Sequence, residues 1–344
     1  MGGRALSCGS VRIDKLTYEK VCESVLTELK MKYPTGIFKI AEILPDKETF
    51  GDLDIIYSND SKIDTSKLSW IQSDGSNYTP KFPYINSDIT SFDYLLDNGE
   101  IFQIDLVKIP IECLSFAVQY FSYGDCGNII GRAYKYAGFK LTFEGLKYKY
   151  LSKYTSKLLT LTVNWQEALD FLEYPVYQEY EFKDILSVFD YCFSTPYANT
   201  DIYQIENSNH VDRIRNKKRP MFMAMQQYIN DNPNCTADYR LDIDIHRTNF
   251  LEKAFNQFPN FKIEYDNCVK IDINEQLYRE KFNGNIVRLI TGYEGKELSV
   301  FIQNFIAYFT LLGIDFKKFI ITCDDLKDKI KEYQLYYIHY NLGN

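Results

Sequence analysis

The chain has 344 residues and a formal net charge of −8, which excludes a broad cationic surface for nonspecific duplex binding but leaves local basic patches open. No run reaches the roughly 18–20 consecutive apolar residues of a membrane span, and the amino terminus lacks the basic-then-apolar order of a signal peptide, so a cytoplasmic protein without a membrane partner is expected. The eight cysteines fall singly, never as Cys-x-x-Cys, and the three histidines are dispersed, which argues against a zinc ribbon, a disulfide scaffold or a haem centre.

In chain order, Thr17 is a candidate cap for a helix over 17–31, with Val21, Val25, Leu26 and Leu29 facing inward and Glu19, Lys20, Glu23, Glu28 and Lys30 facing water. Apolar runs at 38–44, 53–57 and 101–107 read as strands. The Ser/Asp/Asn/Pro-rich stretch 58–91 between the last two reads as a loop with room for short strands. From Pro110 onward helical periodicity dominates, predicting helices at 111–121, 126–136, 165–172, 182–193, 220–230, 249–258 and 297–312. Residues 146–150 and 157–163 have the makings of a hairpin. The expected fold is α+β: a small mixed β-sheet in residues 1–112, followed by a mostly helical domain at 113–344 that carries the short hairpin near 146–163.

Two acidic segments carry the chemistry. In Gly51-Asp52-Leu53-Asp54-Ile55-Ile56-Tyr57, strand geometry sends Asp52 and Asp54 out of one face, and Asp105 in Phe102-Gln103-Ile104-Asp105-Leu106-Val107 is placed to join them from a neighbouring strand. Three convergent carboxylates among apolar residues repel unless a cation neutralises them, and hard oxygen donors favour Mg²⁺ or Mn²⁺. A pair of such ions suits in-line phosphoryl displacement, so Asp52, Asp54 and Asp105 are the candidate metal ligands and catalytic residues. The segment Leu241-Asp242-Ile243-Asp244-Ile245 repeats the spacing without a preceding glycine or a third acid, and with Arg240 and Arg247 at its flanks it reads as an exposed, ion-paired stretch.

These acids resemble the polymerase-β-type nucleotidyltransferase superfamily, whose signature is Gly-Asp-x-Asp on one strand and a third acid on another. The resemblance implies that residues 1–112 form a nucleotidyltransferase palm, with Gly51 beside the nucleotide. It implies a metal-dependent enzyme that moves a nucleoside monophosphate from a nucleoside triphosphate, ATP by expectation, to an acceptor hydroxyl. An RNA 3′ end is the favoured acceptor, as in poly(A)- or CCA-adding enzymes. Residues 123–146, rich in glycine, are similar to the helical part of uncharacterised nucleotidyltransferases of large DNA viruses and phages, which would place the protein in an infected cell or a virion. The superfamily also carries a Gly-Ser or Gly-Gly pair some ten residues before the first acid, whereas this chain has Ala41-Glu42 there. That departure keeps an alternative in view, a nucleotide-binding or virion-associated protein that retains the palm without catalysis.

Substitutes for the missing pair are Gly2, Gly3 and Arg4 at the amino terminus, with Gly9-Ser10-Val11-Arg12 a second such stretch and Lys39 and Lys47 as cationic phosphate contacts. Asn128 and Arg132, one helical turn apart, are candidates for the base or triphosphate, while Gly127 and Gly131 read as a close helix crossing. The densest basic run, Arg213, Arg215, Lys217, Lys218 and Arg219, is the candidate guide for a nucleic-acid backbone. Gly284 and Gly295 punctuate helix starts in a way similar to CCA-adding enzymes, and equally suit simple capping.

Overall fold

The computed structural model describes residues 5–72, 74–198, 200–207, 210–217, 219–232 and 243–342. The chain divides into two compact units, Met1–Lys149 with Leu158–Lys262, and Tyr150–Lys157 with Ile263–Asn344. Strands and helices mix up to Thr162, and every described element after it is helical, as the α+β reading expects.

The first unit opens with β1 (Ile13–Asp14) and α1 (Lys15–Lys32). The cap of α1 is Asp14, not Thr17: the Thr17 amide donates to the Asp14 carboxylate at 2.8 Å, so the helix starts two residues earlier than expected. Next come β2 (Ile37–Ile40), β3 (Thr49–Phe50) and β4 (Asp52–Ser58). β2 stops short of the expected residue 44. The Glu42 amide donates to Ser122 Oγ at 2.9 Å and the Glu42 carbonyl accepts from the Tyr123 amide at 2.8 Å, so its backbone groups leave the sheet for a different partner.

The stretch read as a loop holds β5 (Trp70–Ile71), β6 (Asn77–Tyr78), β7 (Tyr84–Asn86) and the start of β8 (Ile89–Leu95), which turns through Gly99 into β9 (Ile101–Lys108). The main sheet has the order β2-β4-β9-β8-β7, with β4 and β9 parallel and the other neighbours antiparallel. One face is covered by α1, where Val21, Val25 and Leu29 share a core with Leu53, Ile55, Ile104 and Leu106. Burying this contiguous aliphatic face is the main driving force for the sheet, at roughly 25 cal/mol per Å² of apolar surface.

α2 (Leu114–Phe121) covers only part of the opposite face, packing Leu114 and Ala117 on Ile56 and Val107. The expected boundary after residue 112 therefore falls inside the first unit: these apolar contacts join helix and sheet in one core. α3 (Cys126–Tyr136) follows, and a Cβ at Gly127 would lie 2.3 Å from the Tyr120 carbonyl oxygen, so the crossing of α2 and α3 requires glycine there. Gly131 has its nearest neighbour at 3.7 Å and is under no such constraint. β10 (Lys140–Thr142), β11 (Gly145–Leu151) and β12 (Ser156–Thr162) form a three-stranded sheet that contains the expected hairpin.

The helices α4 (Trp165–Phe171), α5 (Ile185–Phe193), α6 (Thr200–Tyr203), α7 (His210–Asn216), α8 (Pro220–Asp231) and α9 (Ile243–Gln257) complete the first unit. Of the second Asp-x-Asp segment, Asp242 lies outside the described residues, and Asp244 falls within α9. α10 (Pro259–Lys281) leads into the second unit, with α11 (Gly284–Thr291), α12 (Gly295–Leu311), α13 (Phe316–Thr322) and α14 (Leu326–Leu342) around a core of Phe282, Phe301, Phe305, Ile320 and Ile330. Asn283 caps α11 by accepting from the Asn285 and Ile286 amides, and Gly292 closes it at φ 76°, which is ordinary helix capping. Among the described residues no single helix is long and apolar enough to cross a membrane.

Candidate metal centre

Asp52 and Asp54 alternate with the buried Leu53 and Ile55 along β4, so both carboxylates leave the face opposite α1. The parallel β4–β9 register pairs Asp54 with Asp105 and Asp52 with Gln103, and the antiparallel β8–β9 register pairs Ser91 with Asp105. Partners directly across a ladder share a face, which brings the acids together. One oxygen from each of Asp52, Asp54 and Asp105 lies within 4.8 Å of the others, and all three residues are half-buried. The next pair on this face, Ile56 with Val107, is under α2, so the face changes from apolar to acidic where the helix ends.

The acids sit in an environment that resists their ionisation. Burial, reinforced by Asp52 and Asp105, raises the Asp54 carboxyl well above the usual carboxylate range, and nearby Lys47 offsets part of the effect. Burial also pushes Asp105 up to about 6; hydrogen bonds from Ser91 and Gln103 pull it down and the Asp52 charge pushes it up. A site with three oxygen donors and elevated proton affinity suits a hard divalent cation, which discharges the mutual repulsion that protons otherwise relieve.

Among the described residues expected to contact phosphate, Lys47 is the one on which the charges of the acids act. Burial lowers its ammonium, and the Asp52 and Asp54 charges act against that effect. Its Nζ stands 4.6 Å from the centroid of the Phe50 ring, and Phe50 stacks at 3.9 Å on Tyr18 of α1. Arg12 is committed to Thr49, donating to its carbonyl at 2.7 Å and to its Oγ1. Lys39 is exposed in β2 opposite Ile56, on the acids' face but nearer the α2 end. Gly51 is buried at the bend between β3 and β4, while Gly2, Gly3 and Arg4 lie outside the described residues.

The other candidates are engaged in the helical part. Asn128 bonds to Tyr120 and Asp125. Arg132 donates to the Ile202 carbonyl at 3.1 Å and stacks 4.5 Å over Phe222. In the basic run, Arg219 is paired with Asp125 at 2.6 Å, Arg213 and Lys217 are exposed, and the Arg215 side chain and Lys218 lie outside what is described.

Sequence reasoning missed Gln103 and Ser91. Gln103 was visible as the i−2 neighbour of Asp105, whereas Ser91 required knowing that β8 pairs with β9. Asp93, fully buried on β8, is a structural anchor: it accepts from Tyr78 Oη and from the Lys81 and Phe82 amides at 2.9 and 2.6 Å. No protein-family model matches the chain, and a search of curated proteins finds no match.

Proposed function

We propose that the protein is a divalent-metal-dependent nucleotidyltransferase, moving a nucleoside monophosphate from a nucleoside triphosphate, ATP in the first instance, to an acceptor hydroxyl. The observation that carries this reading is the convergence of Asp52, Asp54 and Asp105 from two adjacent strands, with their ligand oxygens within 4.8 Å. Bound Mg²⁺ or Mn²⁺ would supply Lewis-acid stabilisation of charge on the phosphoryl oxygens. In this reading Asp52 and Asp54 would hold the cation from one strand, and the cation would offset their charge where the triphosphate binds. Asp105, whose proton affinity is raised to about 6, also binds the cation and accepts the proton of the acceptor hydroxyl. Lys47 meets phosphate charge in place of the absent Gly-Ser pair.

An RNA 3′ end is the acceptor we put forward, supported by the exposed Arg213 and Lys217 in the basic run. Thermal melting with each of the four ribonucleoside triphosphates, with and without Mg²⁺, tests the site in wild type and Asp52→Ala. A metal-dependent rise in midpoint that disappears in Asp52→Ala supports the reading, because a ligand that binds only the folded state stabilises it by mass action. Absence of a rise with every triphosphate rejects it. Incubation of RNA with labelled triphosphates then tests the acceptor, and no incorporation rejects RNA.

A second reading, a nucleotide-binding or virion-associated protein without catalysis, is favoured by one observation. At the place of the missing pair, the Glu42 amide and carbonyl are both consumed by Ser122 and Tyr123, and Tyr123 Oη donates to the Glu42 carboxylate. Triphosphate affinity independent of Mg²⁺ would select this reading over the first.

A further inference from the structure

Gln103 is 2% exposed, and its amide is used at both ends. Nε2 lies 2.9 Å from each carboxylate oxygen of Asp105, and Oε1 accepts from the Ala5 amide at 2.8 Å. The Ala5 N–H can only donate and an ionised Asp105 can only accept, so the two partners together dictate which end of the amide faces which. If the Ala5 bond is lost, the amide is free to turn over and present its oxygen to a carboxylate, an arrangement that repels.

The segment that carries Ala5 is itself anchored. Leu6 is 6% exposed, the Gly9 amide donates to the Leu6 carbonyl at 3.2 Å, and the Val11 amide donates to Ile101 at the start of β9 at 2.8 Å. Ala5 of this amino-terminal strap is therefore bonded to the side chain that orients one of the three candidate metal ligands. Ser91, across the ladder, holds the same carboxylate from the other strand.

We infer that Gln103 is a positioning residue that couples the amino-terminal strap to the metal centre, so that order at Ala5 and divalent-cation affinity at Asp52, Asp54 and Asp105 favour one another. The inference rests on the metal reading above. Outer-shell partners of metal-ligating carboxylates typically carry about 10–100-fold of metal affinity. Linkage is reciprocal, so a strap that strengthens cation binding must be strengthened by it.

The test is Mn²⁺ binding by electron paramagnetic resonance on the full chain without nucleotide, in wild type, Gln103→Met and Ala5→Pro, with hydrogen exchange of the strap measured with and without Mg²⁺. Gln103→Met keeps the volume and removes both hydrogen-bonding ends. Ala5→Pro removes the N–H and fixes the local φ, at a distance from the ligands, and serves if Gln103→Met fails to fold. Expected are about 10-fold weaker Mn²⁺ binding in Gln103→Met, a several-fold loss in Ala5→Pro, and Mg²⁺-induced protection of the strap in wild type alone. A purely structural role for Gln103 predicts altered melting with unchanged Mn²⁺ affinity. Wild-type affinity in either folded variant, or strap exchange indifferent to Mg²⁺, would overturn the coupling while leaving the metal centre standing. Failure of the wild type to bind Mn²⁺ would overturn the metal centre and the coupling with it.

Discussion

Asp54 on β4 and Asp105 on β9 are direct register partners across a parallel ladder, so two carboxylates stand side by side on one face of the sheet. Neighbouring like charges in a half-buried setting destabilise the ionised pair, and both groups have raised proton affinity, through burial first and charge second. The native fold thus carries a local penalty that protons, a cation or removal of one charge can relieve.

The pH dependence follows from that sign. Asp105 rises from 3.8 to about 6 on folding, and Asp54 rises as well, so between those values the folded state binds more protons than the unfolded one. The contribution of these groups to stability without metal is fully present below about pH 4 and is lost as pH rises through about 6, on the order of 3 kcal/mol for Asp105. Urea unfolding across this range is expected to show a steeper decline in wild type than in Asp105→Asn. Added Mg²⁺ is expected to stabilise more as pH rises, since protons compete with it for the same oxygens.

Asp54→Asn keeps the side-chain shape and removes the charge. Without metal at neutral pH it is expected to be more stable than wild type, because the ionised pair no longer forms. Its melting should cease to respond to Mg²⁺, and transfer should be abolished. Wild-type activity with an unchanged melting point would remove Asp54 from the site.

Lys47→Gln tests the charge that faces the acids. Charge-assisted bonds contribute about 1.5–3 kcal/mol, so triphosphate affinity measured calorimetrically is expected to fall by about 10-fold or more. Mn²⁺ binding should persist or strengthen, since the lysine competes with the cation for the negative field.

The two glycines of α3 separate packing from propensity. Gly127→Ala drives a Cβ to 2.3 Å from the Tyr120 carbonyl and is expected to cost about 1–3 kcal/mol. Gly131→Ala meets nothing nearer than 3.7 Å and is expected to stabilise the helix by up to about 1 kcal/mol. Thermal denaturation by circular dichroism distinguishes them.

Much of the site is legible in the chain itself, because strand alternation is local. Gly51, Asp52 and Asp54, then Asp105, announce two strands with acids on one face and aliphatics on the other, and those strands are present at Asp52–Ser58 and Ile101–Lys108. Helices with a clear apolar stripe, such as α2 and α3, are legible for the same reason. α10 and α14 are not, because charged and apolar residues interleave around their whole circumference and leave no periodic stripe to read.

What the tertiary structure alone decided depends on pairing between distant segments. The parallel register of β4 with β9 determines that Asp54 meets Asp105, and β8, which starts at the end of the polar stretch read as a loop with room for short strands, brings Ser91 beside them. The extent of α2 over the sheet determines where the apolar face gives way to the acids, and the Lys47 ammonium, which lies over the Phe50 ring, feels the charges of Asp52 and Asp54. Residue type and spacing determine which groups are chemically able to hold a cation, since side-chain direction along a strand repeats every two residues. Register, helix coverage and the strap that reaches Gln103 are products of long-range packing, which no local pattern encodes.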